Sequence, residues 1–147
     1  MSERGSSEGG CLCGAVRFRA DGAPAHVNLC HCRMCQKASG APVMAWATFE
    51  RAKVAFPKAA PRIRRSSARA ERGFCADCGS ALLWQRPEAP TLDLAVAAFD
   101  DPDALKPEEH IWTASRLRWL TLTDHLPRYS QGHGADAETG LETETAT

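Results

Sequence analysis

Apolar and polar residues alternate along much of the chain. In "AVRFRA", Val16 and Phe18 fall on one side and Arg17 and Arg19 on the other, the period-two pattern of a half-buried strand. "AHVNLCHC", after the turn "DGAP", reads as a second strand. "PVMAWATF" is apolar enough to be a central third, and "KVAF", stopped by Pro57, is a short fourth. "PRIRRSSARAERGF" predicts a hairpin arm leading to Cys75, "SALLWQ" follows a turn at Gly79, and "TLDLAVAAF" alternates again. "DDPDAL" opens with an Asp cap and predicts one or two helical turns, after which "HIWTAS" and "LRWLTL" close the domain. Gly and Pro interrupt the chain about every ten residues, which suits strands better than long helices. The expected fold is mainly β, with antiparallel sheets and two or three short helical turns.

The ends break this pattern. Residues 1–8 are Ser, Gly and charge, and residues 131–147, "QGHGADAETGLETETAT", hold one large apolar residue, Leu141. Neither segment can offset the entropy of ordering, so both are expected to be disordered around one domain over residues 9–130. A chain of 147 residues is of single-domain size and can bury a real core.

Eighteen basic and eighteen acidic residues cancel, so no global field steers the chain to nucleic acid or an anionic membrane. "MSERGSSEGG" lacks the apolar core of a signal peptide, and no run of about 18 apolar residues occurs. We therefore expect a cytoplasmic protein with neither a nucleic-acid nor a membrane partner. "RIRRSSARAER" concentrates five arginines in eleven residues. It reads as a sheet edge guarded by charge. With a neutral chain, the carboxylates of a small substrate are a more economical use of those arginines than DNA.

Seven cysteines change the picture. In a reducing cytosol such a set points to metal or catalysis before disulfides, and the odd number does not pair. They fall into three clusters: Cys11 and Cys13 in "CLC", Cys30, Cys32 and Cys35 in "CHCRMC", and Cys75 and Cys78 in "CADC". On a strand, a CxC pair presents both sulfurs to one side. In "CADCG" a tight turn aims two thiolates at one centre, with Gly79 tolerating a positive φ. Two such halves complete a closed tetrahedral zinc site of Cys11, Cys13, Cys75 and Cys78. Cys30, Cys32 and Cys35 are then left as three ligands with one open position, the arrangement of a reactive zinc. Three thiolates leave that zinc with about one net negative charge, better suited to holding a substrate thiolate than to making hydroxide. A histidine, His31, His26 or His110, could instead close the second site, or the cluster could stay free thiols. His110, Trp112 and Trp46 could line a pocket, although a lone histidine before an apolar strand more often satisfies the core. Lys37 and Ser39 could meet a ligand carboxylate or form a solvated turn.

The blocks "GGCLCGAVRF", "LCHCRMCQKASGAPVMAW", "GFCADCGSALLW", "FDDPDALKPEEHIW" and "LPRYSQG" resemble those of the glutathione-dependent formaldehyde-activating (GFA) family, whose domain is shared with centromere protein V. The resemblance covers about residues 9–132, and no cysteine of the pattern is missing. It implies an Mss4-like β fold with a structural zinc on Cys11, Cys13, Cys75 and Cys78. It also implies a second zinc on Cys30, Cys32 and Cys35, two per chain, and since three thiolates hold zinc less firmly than four, the second is expected to be the more easily lost. The implied activity is that of a carbon–sulfur lyase, the reversible addition of glutathione to formaldehyde giving S-hydroxymethylglutathione. The centromere-protein relatives imply an alternative, a non-catalytic zinc-binding interaction domain, and the free-thiol reading leaves a redox module as a third.

Overall fold

The computed structural model describes residues 5–132. Within them the strands are β1 (Ser6–Gly10), β2 (Arg17–Asp21), β3 (His26–Cys30), β4 (Met44–Glu50), β5 (Val54–Ala55), β6 (Arg62–Arg65), β7 (Glu71–Phe74), β8 (Ala81–Gln85), β9 (Thr91–Ala95) and β10 (Glu109–Ile111). One α-helix, α1 (Arg33–Ser39), and short 3-10 turns complete the fold. The strands form a three-stranded sheet, β1-β2-β5, and a seven-stranded sheet, β10-β3-β4-β9-β8-β7-β6. All neighbours are antiparallel except β10 and β3, which run parallel.

The large sheet sorts its residues by the period of two. One cross-strand row reads Gly73, Leu83, Leu94, Ala47 and Val27. Leu83, Leu94, Ala47 and Val27 are buried in the main core, each large side chain contributing about 1.5–3 kcal/mol through lost contact with water. Gly73 is required in that row, because a Cβ there would sit 2.6 Å from Leu83 Cγ. The small sheet closes the core with Phe18, whose ring meets Phe99 edge-on at 4.8 Å, and Phe99 in turn stacks on Phe49 at 6.0 Å. The adjacent row projects from the other face and reads Arg64, Arg72, Trp84, Asp93, Thr48 and His26. That polar and aromatic face carries α1 and the site.

Two differences from the sequence expectations have physical causes. Residues 6–8, expected to be disordered, are part of β1. Ser6, Ser7 and Glu8 pair with Asp21, Ala20 and Arg19, and Asp100 N donates to Glu8 O at 2.9 Å. Their composition offers little to bury, but backbone pairing with an ordered strand does not need side chains. Gly9 also lies where a Cβ would meet Ala98 O at 2.4 Å, so the glycine allows close docking on the core. "LRWLTL" takes no regular structure, and Trp119 is 71% exposed. The open edge of β10 is used by the chain after it: His110 N donates to Pro127 O at 2.8 Å, Tyr129 N to His110 O at 2.9 Å, and Trp112 N to Gln131 O at 2.6 Å. Most of the expected tail, residues 133–147, lies outside the described residues.

Candidate metal centres

Cys11 and Cys13 lie in the turn joining β1 to β2, whereas their alternation suggested a strand. Gly14, at φ 83°, donates to Cys11 O at 3.2 Å, and Cys11 N donates to Val16 O at 3.0 Å. Cys75 and Cys78 occupy a matching turn between β7 and β8, with Gly79 at φ 80° donating to Cys75 O at 2.8 Å. In each turn the first sulfur accepts a backbone amide, Val16 N to Cys11 Sγ at 3.2 Å and Cys78 N to Cys75 Sγ at 3.4 Å. Ser80 joins the turns: its Oγ accepts from Leu12 N at 3.0 Å and lies 3.1 Å from Cys78 Sγ. The Ser80 hydroxyl and amide hold the Cys78 thiol down at about 5. The Ala15 amide favours a Cys13 thiolate, but the hydrogen bond shared with Cys11 and desolvation outweigh it and push Cys13 up to about 12.

The four sulfurs all lie within 4.8 Å of one another, with Cys11 to Cys13 at 3.6 Å and Cys13 to Cys75 at 3.8 Å. Sulfurs about 2.3 Å from a tetrahedral zinc are separated by about 3.8 Å. The set could hold a metal ion and is compatible with zinc. Cys13 and Cys78 face solvent while Cys11 and Cys75 are buried, so the group sits at the surface and links two hairpins.

Cys30, Cys32 and Cys35 form the second group, again within 4.8 Å of one another, and all are buried. Cys30 ends β3, Cys32 is the N-cap of α1, and Cys35 lies in its first turn and donates its amide to Cys32 Sγ at 3.3 Å. A cap acceptor and a helical residue three positions later face the same way. Thus the helix start, and not a continued strand, aims Cys32 and Cys35 together. Hydrogen bonds from the Cys30 and Cys32 thiols hold Cys35 well below the ordinary thiol range against its burial, and Arg72 adds to this. Arg72 Nη2 reaches Cys35 Sγ at 3.5 Å. Cys30, hydrogen-bonded to both neighbours and buried, is pushed up. This set could also hold a metal ion.

A cavity of about 260 Å³ opens on the three sulfurs, walled by Trp46, Trp84 and Trp112. Trp46 and Trp112 were expected at such a pocket. Trp84 was not, because only the β8–β9 register brings it there, and the contact of Arg72 with Cys35 was equally without signal in the sequence. His26 reaches the cavity but none of the three histidines belongs to the sulfur group. His31 is fully buried and points elsewhere: its Nε2 lies 2.9 Å from His110 Nδ1, whose Nε2 lies 3.0 Å from both Asp124 oxygens. Facing the carboxylate, His110 carries its proton on Nε2, so its Nδ1 accepts from His31 Nε2–H. Burial, with His110 alongside, lowers His31 to about 4. His110 is therefore a satisfied core residue, and Asp124 had no signal in the sequence that could have paired it. Ser39 bonds to Cys35 O at 2.7 Å and accepts from Ala41 N at 3.1 Å as the helix ends, and Lys37 is exposed.

Residues 6–115 match the family described as glutathione-dependent formaldehyde-activating enzyme. A relative from Halomonas elongata, named "Putative glutathione-dependent formaldehyde-activating enzyme", is 31% identical over 125 residues, covering 78% of this chain and 80% of the relative. An uncharacterized lyase of Schizosaccharomyces pombe is 30% identical over 112 residues, covering 65% of this chain and 81% of the relative. A crystal structure of a Rhodobacter sphaeroides protein shares the fold with a TM-score of 0.52 at 20% identity, over 83% of this chain and 98% of that one.

Proposed function

The chain belongs to the glutathione-dependent formaldehyde-activating family, and from that premise we propose that it is a zinc-dependent carbon–sulfur lyase acting on the adduct of glutathione and formaldehyde. The observation that carries the reading is the contrast in the second group: three buried sulfurs in one cluster, no fourth ligand among the described residues, and a cavity over them. Cys30, Cys32 and Cys35 would hold the ion, beside the cavity on which their sulfurs open. Zinc, when bound there, holds a substrate thiol as its thiolate near neutral pH. Cys11, Cys13, Cys75 and Cys78 hold the structural ion.

The residues of the chain supply position and environment. Trp46, Trp84 and Trp112 remove water from around the thiol. Arg72, beside Cys35, offsets the negative charge of the three sulfurs. In the synthetic direction the thiolate electron pair forms the carbon–sulfur bond to formaldehyde and the carbonyl oxygen takes a proton from water. In the lyase direction the hydroxyl proton returns to water as that bond breaks. The requirement for free thiolates suits a reducing cytoplasm.

Formaldehyde and thiols also combine unaided, so the test is a rate. Exchange spectroscopy of formaldehyde with glutathione is expected to show faster exchange with protein than without, and no acceleration with Cys32→Ser. Equal rates in all three samples leave the interaction-domain reading in its place.

A further inference from the structure

Two arginines share one spot on the polar face. Arg64 of β6 and Arg72 of β7 are direct cross-strand partners, so their side chains leave the sheet side by side, with Cβ atoms about 5 Å apart, a placement that destabilises like charges. The Arg64 side chain makes no hydrogen bond or ion pair with any described residue. Arg72 reaches Cys35 Sγ at 3.5 Å. Both line a second cavity, about 230 Å³, with apolar walls from Met44, Trp46 and Leu83 and the hydroxyl-bearing Ser39 and Ser66. Trp46 lines both cavities, so this one lies a single arginine side chain away from the three sulfurs.

The surroundings favour a small anion. Strand alternation splits the arginine-rich segment: Arg62 and Arg64 leave one face of β6, while Arg65 leaves the other and pairs in register with Glu71. A nucleic-acid track needs a continuous basic row, which this alternation breaks up. Guanidinium forks match a carboxylate in two parallel hydrogen bonds, and a carboxylate between Arg64 and Arg72 would relieve their repulsion. We propose that Arg64 and Arg72 form the carboxylate subsite of the three-cysteine centre, which makes the preferred ligand a thiol acid and not a neutral thiol. This rests on the thiol-binding reading of that centre.

Two signals separate the subsite from that reading. In the full chain with cobalt(II) in place of zinc, thiolate ligation is read from charge-transfer absorption. In the zinc form, the Arg64 and Arg72 Nε–H signals read the carboxylate by NMR. Glutathione is expected to move both signals. S-methylglutathione, with the carboxylates but no thiol, is expected to move only the arginine signals. Glutathione is expected to bind about tenfold more tightly than 2-mercaptoethanol, the scale of a charge-assisted hydrogen-bond pair, and R64Q is expected to remove most of that preference. Arginine signals unmoved by either glutathione form, or an undiminished preference in R64Q, overturn the subsite even where the cobalt spectrum responds. Arginine shifts with a cobalt spectrum indifferent to thiols leave the subsite standing and overturn the thiol reading.

Discussion

The chain uses the triplet Cys-x-Cys twice, and the residue between the cysteines distinguishes the two uses. Leu12, between Cys11 and Cys13, is 91% exposed, whereas His31, between Cys30 and Cys32, is completely buried. The first triplet caps a hairpin at the surface and meets a second hairpin through Cys75, Cys78 and Ser80. The second lies at the join of a strand and a helix, with its spacer tied through His110 to Asp124 and its sulfurs opening on a cavity. Identical ligand spacing therefore does not define a site. What surrounds it decides whether two further cysteines complete the cluster or a cavity opens on it.

The contrast can be broken most severely at the four-sulfur group. Structural zinc contributes on the order of 10 kcal/mol or more to small domains. Cys78→Ala is thus expected to unfold the domain, visible as loss of the β circular-dichroism signal, whereas Cys32→Ser keeps that signal and loses one metal of two. A folded, metal-poor Cys78→Ala protein would reverse the assignment of roles. Next in size is the buried spacer. His31→Ala leaves His110 Nδ1 without its donor and opens a cavity, an expected cost of about 2–4 kcal/mol in chemical denaturation.

Asp124 offers a finer test. Burial works against its charge, but the Leu126 amide and His110 outweigh this and hold it at about 2, below an ordinary carboxylate. A depressed carboxylate stabilises the fold above its unfolded pKa, and that contribution is lost as the pH falls through the folded one. Melting curves are therefore expected to put Asp124→Asn a few degrees below wild type at pH 7, with the gap closing as the pH falls from about 4 towards 2. The smallest effect is expected at the other spacer: Leu12→Ser should alter stability by less than about 0.5 kcal/mol, as exposed positions do, with unchanged metal content by elemental analysis. Any metal loss there would show that the exposed spacer matters to its site.

Much of this was legible in the chain. Alternation in "AVRFRA" and the apolar run of "PVMAWATF" marked strands that the structure contains, because burial of a sheet face leaves such patterns. "TLDLAVAAF", by contrast, is a strand only as far as Ala95 and then turns into a 3-10 helix. The two cysteine groups followed from spacing, since short spacers leave thiols little choice of neighbour. Residues 6–8 and "LRWLTL" misled for opposite reasons. The former is recruited by backbone hydrogen bonds that composition does not record, and the latter has apolar residues but finds β10's edge already taken by residues 127–131.

By itself, the sequence determined the local geometry: which residues alternate, which turns carry glycine at positive φ, and which thiols are near neighbours along the chain. Only the tertiary structure decided which distant groups meet. It placed Asp124 against His110, Arg72 beside Cys35, and Arg64 beside Arg72. Those meetings depend on strand order and register across a seven-stranded sheet, and register is set by the burial of a whole face at once, a property that no short stretch of sequence carries.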